Sequence, residues 1–270
     1  MSEAGIPESR LEAELLLCHL TGLSRSHLHA YPEHILMPEQ EASLSSALAR
    51  RLRREPLDYI LGYREFYGLK FAVRPGVLIP RPETELLVER TLDLVRGTAH
   101  PERFLVADVA TGCGNIAVAL AVNAPGLRVI ATDTSPAALE VARENVARHH
   151  VQDRVDLRQG DLLAPLDCRV DVIVANLPYV RSERMAMLQP EVAWEPVEAL
   201  DGGPDGLDTI RRLLRQAPQW LKRGGYLLLE MDPEQREPLV LEAAKRFMSA
   251  RTDVLRDMAG LDRVLVVGPK

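Results

Sequence analysis

Several stretches hold residues whose types and spacing could do chemistry. In Phe104 to Asn115, FLVADVATGCGN, a short apolar run ends in the small residues Ala110, Thr111, Gly112, Cys113 and Gly114, then passes into a helical pattern through Ile116, Val118 and Leu120. A strand that reaches glycines before a helix brings bare backbone N–H groups and the positive helix end close to a ligand, which suits a nucleotide-like cofactor. Two classes fit this stretch. Gly112, Gly114 and Ala117 satisfy the G-x-G-x-x-A dinucleotide fingerprint, while Asp108, four residues before Gly112, stands where an S-adenosylmethionine loop would set a carboxylate near the cofactor's ammonium group. Asp133 follows Gly112 by 21 residues, at the end of a second strand, where an acid can accept both hydroxyls of an adenosine ribose. A helix cap would be its plainer role, but Thr134, Ser135 and Pro136 already supply that start signal. Asp161 and Leu162, in QGDLL after a third strand, fall where an adenine amino group could be met, although an Asp beside Gly is often only a turn residue.

The segment VDVIVANLPY decides between the two cofactor classes. Val172 to Ala175 make a buried strand that stops at Asn176, and the step from Leu177 to Pro178 keeps the chain extended, so the Asn176 amide is delivered to the ligand-binding edge. A hydride-transfer enzyme would need an acid or base relay here. An Asn carbonyl beside a free backbone carbonyl, that of Leu177, instead holds an NH2 group by both hydrogens. Methylating an amide or aromatic amine is hard because the nitrogen lone pair is delocalised. A site that accepts both N–H bonds, excludes water and aims the nitrogen at a sulfonium methyl answers that difficulty. Asn176, Pro178 and Tyr179 are therefore the candidate catalytic residues, with Tyr179 placed to stack on the flat substrate group.

An alternation of strands and helices must position these residues. From Glu83 a helix runs to about Arg96, followed by strand Phe104 to Val109, helix Asn115 to Asn123, strand Arg128 to Asp133 and helix Pro136 to His149. Strands at Val155 to Gln159, Asp171 to Asn176 and Gly225 to Met231 follow. This pattern predicts a parallel sheet covered on both faces, with ligands at the carboxyl ends of its strands. The short link Met258 to Asp262 between Asp253 to Arg256 and Arg263 to Val267 predicts a terminal hairpin, hence an antiparallel strand at the sheet edge. Ahead of this domain, Glu8 to Leu61 is helical in period: Leu11, Leu15 and Cys18 make one stripe, Gly22 ends that helix, and Pro38 opens another reaching Arg54. The Arg50, Arg51, Arg53 and Arg54 cluster reads as a solvated helix face, with an acidic partner or ribosomal RNA as the alternative. Between the two, Phe66, Tyr67, Leu69, Phe71 and Val73 around Gly68 read as a hairpin.

A chain of 270 residues, 46% hydrophobic and 27% charged, accommodates one large domain and one small one. The net charge of −6 argues against a protein whose main task is an electrostatic grip on bare nucleic acid. Cys18, Cys113 and Cys168 form no CxxC pair, which suits a reducing compartment and gives neither a disulfide framework nor a zinc site. No apolar run reaches about 18 residues and Met1 to Arg10 lacks the regions of a signal peptide, so a cytoplasmic, non-membrane protein is expected.

At larger scale, GYREFYGLKFAVRPGVLIPRPETELLVE (62 to 89), DVATGCGNIAVALA (108 to 121), ATDTSPAALEVARENVARH (131 to 149), IVANLPYV (173 to 180), EPVEALDGGPDGLDTIRRLL (195 to 214) and LEMDPEQ (229 to 235) resemble the protein-(glutamine-N5) methyltransferases of HemK/PrmC type. The resemblance implies a class I S-adenosylmethionine-dependent methyltransferase fold: a mostly parallel seven-stranded Rossmann-like sheet with an antiparallel edge strand, plus a small N-terminal helical domain. It implies a helical substrate-docking domain at 1–62, a hairpin linker at 63–80 and the methyltransferase domain at 81–270. By the same resemblance S-adenosylmethionine, leaving as S-adenosylhomocysteine, is held by Ala110 to Gly114, Asp133 and Asn176, to which the reading of the residues above adds Asp108, Asp161 and Leu162. The glutamine of the Gly-Gly-Gln motif of peptide-chain release factors is held by Asn176 to Tyr179, with Arg81 and Glu83 near its entrance. Glu83 also reads as a first-turn acid on the following helix. A monomer that forms no stable complex with nucleic acid is expected. Two departures stand out. Ala110 occupies the family's first glycine, harmless at negative φ and damaging at positive φ, and Leu177 replaces the first proline of N-P-P-Y while keeping its carbonyl. The N-terminus also reads as lacking most of the family's first helix. The competing functions are an adenine-N6 DNA or RNA methyltransferase and a degenerate, non-catalytic binder.

Overall fold

The computed structural model describes Met1 and residues 4–270, which divide into two compact units: Met1–Tyr63 with Gln189–Trp194, and Arg64–Leu188 with Glu195–Lys270. In the first unit, α1 (Ser9–Thr21) ends where Gly22 takes the left-handed conformation, followed by α2 (Arg25–Ala30), α3 (Pro38–Leu52) and α4 (Leu57–Leu61). The buried stripe lies one residue from the predicted one. Leu16 is fully buried against Ala47 and Leu61, whereas Leu11, Leu15 and Cys18 are only half-buried. In the arginine cluster Arg53 is exposed, as a solvated face requires, but the other three depart from that reading. Arg51 is buried and bridges Glu12 (2.6 Å) and Glu191 (2.9 Å), Arg54 reaches Glu191 at 2.9 Å, and Arg50 pairs with Glu55 at 2.5 Å. A guanidinium presents a fork of donors, so two carboxylates can satisfy it where a helical period sees only a charge run.

The hairpin forms from β1 (Tyr63–Phe66) and β2 (Leu69–Ala72), with Tyr67 and Gly68 both at positive φ in the turn. Phe66 and Phe71 are fully buried in the core of the larger unit, so most of this segment is core wall rather than free linker. The larger unit then runs α5 (Glu85–Arg96), β3 (Leu105–Val109), α6 (Asn115–Asn123), β4 (Arg128–Asp133), α7 (Pro136–Arg148), β5 (Val155–Gln159), β6 (Val170–Ala175), α8 (Asp208–Trp220), β7 (Leu221–Glu230), α9 (Arg236–Arg246), β8 (Ala250–Arg256) and β9 (Asp262–Pro269). The seven-stranded sheet has the order β5-β4-β3-β6-β7-β9-β8. Pairings from β5 to β7 are parallel; the terminal hairpin supplies the antiparallel ones, with β9 between β7 and β8.

Side chains alternate between the two faces of this sheet, and each face has its own core. Val106, Val129, Val172, Val174 and Leu228 pack on the face covered by α5, α6 and the hairpin, while Ala107, Ile173, Ala175, Leu227 and Leu229 pack on the face covered by α8 and α9. Extending that alternation one or two positions puts Asp108, Asp133, Asn176 and Glu230 on the α5 face, at or near the carboxyl ends of their strands. The order reverses between β3 and β6, both of which start crossovers there, and this switch point is where open α/β sheets bind ligands.

Candidate active site

At that edge lies a cavity of about 520 Å³, lined among others by Val77, Arg81, Thr84, Ala110, Gly112, Asp133, Asn176 and Pro178. Pockets of some 300–1,000 Å³ take small ligands, so a nucleoside-sized group fits. The glycine turn forms its floor. Ala110, Gly112 and Gly114 all have positive φ, at 59°, 56° and 82°. Glycine tolerates this; alanine does so at a cost of about 1–2 kcal/mol, so Ala110 stands in the unfavourable of its two expected conformations. A Cβ on Gly114 would lie 3.2 Å from that of Ala142, so this glycine also permits the close approach of α7. Asn145 on α7, unmarked by any local pattern, clamps the assembly: its Nδ2 donates to the Cys113 carbonyl (2.8 Å) and its Oδ1 accepts from the Ala72 amide (2.7 Å). Thr111, like Gly112 and Cys113, lines the cavity, and burial pushes the Cys113 thiol up to about 12, which leaves it unreactive.

Asp133 lines the cavity as expected of a ribose ligand, and its Oδ2 accepts from the Gly112 amide at 2.9 Å. Ser135, not Asp133, caps α7 by accepting from the Ala138 amide. Asp108 is placed differently from its expectation. It is fully buried behind the turn, accepts from the Thr111 hydroxyl (2.6 Å) and the Ala117 amide (3.1 Å), and does not line the cavity. Its Oδ1 has no hydrogen-bond partner among the described residues, and desolvation raises its pKa to about 7. Asp161 and Leu162 line a smaller neighbouring cavity of about 200 Å³ rather than the main one, and Asp161 is ion-paired with Arg212. Leu162 has φ of 50° and accepts at its carbonyl from the Thr132 hydroxyl, so its part is to shape the turn after β5.

The motif after β6 is held from both sides. Asn176 Nδ2 donates to Thr84 Oγ1 at 3.0 Å, and its Oδ1 takes no hydrogen bond among the described residues. Pro178 lines the cavity, while the Leu177 side chain is buried in the opposite core at 2% exposure. Replacing it with proline would therefore leave a void as well as remove an N–H. Tyr179 departs from the expected stacking position. Its ring packs on the α8 and α9 core, its hydroxyl donates to Glu230 Oε1 at 3.2 Å, and burial raises its pKa. Its carbonyl accepts from Gln235 Nε2 at 2.9 Å. The GGPDG loop completes the support: Val180 exchanges backbone hydrogen bonds with Leu200 and Gly202, and a Cβ on Gly202 or Gly206 would fall 2.6 Å from the Pro178 carbonyl oxygen or 2.2 Å from that of Tyr179. Only glycine lets these backbones meet. At the cavity mouth Arg81 is ion-paired with buried Glu195, which also accepts from the Ile79 amide at 2.9 Å; Glu83 is exposed and outside the lining.

Glu230, 1% exposed, was not singled out from the sequence as a site residue. Its Oε2 accepts from Thr84 Oγ1 at 2.7 Å, and desolvation raises its pKa to about 7. The signal that could have found it is an acid closing the apolar run YLLLE, on the same face as Asn176.

The sheet order, the glycine turn at its switch point and the acid that ends β4 define a class I methyltransferase. Comparison with known proteins agrees: residues 1–62 match the PrmC N-terminal domain and residues 84–201 the methyltransferase small domain. The chain is 42% identical to a release factor glutamine methyltransferase of Geobacter sulfurreducens over 98% of its own length and 91% of the relative's, and 43% identical to that of Moorella thermoacetica over 97% and 92%. The solved ribosomal protein L11 methylase of Lactobacillus delbrueckii subsp. bulgaricus superposes with a TM-score of 0.52 at 25% identity, covering 73% of this chain and 84% of that one. The chain belongs to the release factor glutamine methyltransferase family. No helix among the described residues is long and apolar enough to cross a membrane.

Proposed function

We propose that this protein transfers a methyl group from S-adenosylmethionine to the side-chain amide nitrogen of the glutamine in the Gly-Gly-Gln motif of peptide-chain release factors. The observation that carries this reading is the convergence of the glycine turn, Asp133 and the free Oδ1 of Asn176 on one cavity. Gly112 to Gly114 would receive the nucleoside and Asp133 its ribose hydroxyls, while Asp108, buried behind the turn, holds the turn in place through Thr111 and Ala117. Bound there, S-adenosylmethionine would supply an electrophilic methyl: the C–N bond would form as the C–S bond breaks, S-adenosylhomocysteine would be the leaving group, and one of the two amide N–H protons would be released to solvent. Asn176 Oδ1 accepts one N–H of the substrate amide and the Leu177 carbonyl the other, which holds the nitrogen in place and lets the lone pair face the methyl. Pro178 and the surrounding wall exclude water. The helical unit of residues 1–62 acts as the docking element that supplies remote binding energy, which free glutamine cannot provide.

Incubation with methyl-labelled cofactor and either release factor or nucleic acid, followed by mass spectrometric location of the label, tests this. Label on the release-factor glutamine is expected. Label on adenine would instead support an adenine-N6 enzyme, and label on neither a non-catalytic binder.

A further inference from the structure

Asn176 can do its work in only one of two orientations. An amide turned by 180° about its last torsion would present N–H groups to the substrate NH2, donor against donor, so something must fix which atom faces the cavity. Among the described residues the only hydrogen-bond partner of its side chain is the Thr84 hydroxyl, 3.0 Å from Nδ2. Thr84 is 2% exposed, lines the cavity and sits 92 residues away in sequence. A hydroxyl has one proton, and that of Thr84 points at Glu230 Oε2, 2.7 Å away. With its proton committed to a carboxylate, the Thr84 oxygen has only lone pairs to offer, and only the NH2 side of Asn176 can meet them. The flipped amide would set two acceptors 3.0 Å apart.

We propose that Glu230, acting through the Thr84 hydroxyl, is a positioning residue that fixes the Asn176 amide with its oxygen toward the substrate nitrogen, and that the Tyr179 hydroxyl on the second carboxylate oxygen holds Glu230 in place. This deepens, and rests on, the glutamine-methylating reading above. A buried carboxylate is a costly way to fill space, and a well-packed apolar residue would serve a purely structural purpose as well or better. Both of its oxygens are instead bonded to residues that line the cavity or belong to the Asn176 motif. The groups that act on Glu230 are Thr84 and Glu83 from the turn before α5, Tyr179 after β6 and Arg263 on β9. When Glu230 is protonated it can donate to Thr84, whose own proton is then free for Asn176 Oδ1, and both amide orientations become permissible. Turnover should therefore decline on the acid side of about pH 7.

The test compares Thr84→Val, Thr84→Ser and Glu230→Gln with the parent chain, using single-turnover methylation of release factor with parallel measurement of cofactor and release-factor affinity. Thr84→Val keeps the shape and deletes the relay, so kcat should fall about 10- to 100-fold while both affinities stay within about threefold. Thr84→Ser should recover most of that loss. Glu230→Gln cannot be protonated in this range and should flatten the acid limb of the pH profile. A folded Thr84→Val with parental kcat overturns the relay, as does a Thr84→Ser as impaired as the valine variant. If Thr84→Val does not fold, a Glu230→Gln that keeps the acid limb intact overturns it instead. A parent chain that methylates no release factor removes the functional reading and the relay together, so the two failures are told apart by the parent's own activity.

Discussion

Two turns at the carboxyl edge of the sheet, one after β3 and one after β6, solve the same problem in opposite ways. Each rests on a fully buried carboxylate whose pKa burial raises to about 7, Asp108 under the glycine turn and Glu230 under the asparagine turn. Asp108 keeps one oxygen without a partner among the described residues, and its turn contains a strained Ala110 at φ of 59°. Both oxygens of Glu230 are bonded, and the turn it supports is pinned further by Gln235 and the GGPDG loop. The first region leaves polar capacity and strain for a ligand to relieve. The second is complete in itself and presents one finished atom, Asn176 Oδ1. A cofactor cradle can be assembled partly by what it binds, whereas a group that aims a weak nucleophile must be preorganised.

The sharpest way to break this comparison is at the finished atom. On the proposed clamp, Asn176→Ala would delete one of two acceptors for the substrate NH2 while leaving the turn's backbone support, so kcat should drop on the order of 10²–10³ with cofactor affinity little changed. A value within about threefold of the parent, measured by mass spectrometry of the methylated peptide, would sink the amide clamp. At the cradle the effect moves from turnover to binding. On the proposed ribose role, Asp133→Ala would remove charge-assisted hydrogen bonds worth about 1.5–3 kcal/mol, so cofactor affinity should fall roughly 10- to 150-fold in a folded protein. Calorimetry showing unchanged affinity would take Asp133 out of the site.

The two buried carboxylates differ from most stabilising acids in the sign of their pH dependence. Their folded-state values lie above the ordinary 3.8 and 4.5, so each contributes most below those values, and that contribution is lost as pH rises through about 7. Between pH 6 and pH 8 each should cost roughly 1.4 kcal/mol of stability. Denaturant midpoints of the parent should fall over that range, and Asp108→Asn and Glu230→Gln should each remove part of the slope; a parent whose stability is flat or rising there contradicts the burial argument. The smallest effect is the relief of strain. Ala110→Gly should stabilise the fold by about 1 kcal/mol or slightly less, because the gain in a left-handed conformation is partly offset by the extra freedom of the unfolded chain. Thermal denaturation of the two proteins side by side measures it, and a destabilised glycine variant would show that the alanine methyl contributes more in packing than it costs in strain.

The local chain determined much of this. Alternation of apolar runs and helical periods in Phe104 to Asn176 specified the strand-turn-helix units, Gly22 and Pro38 specified helix ends, and the short link before β9 specified a hairpin, because each depends only on residues adjacent in sequence. The position of Asn176 at a strand end was legible for the same reason. What only the tertiary structure decided is which distant groups those residues meet. Thr84 reaches Asn176 across 92 residues and Glu230 across 146, Asp161 is taken by Arg212, Arg51 is buried between Glu12 and Glu191, and Tyr179 turns from the substrate side to Glu230. Periodicity tells which face a side chain leaves from. It carries no information on the partner brought to that face by a crossover, and the positive φ of Ala110 was likewise not legible in the sequence.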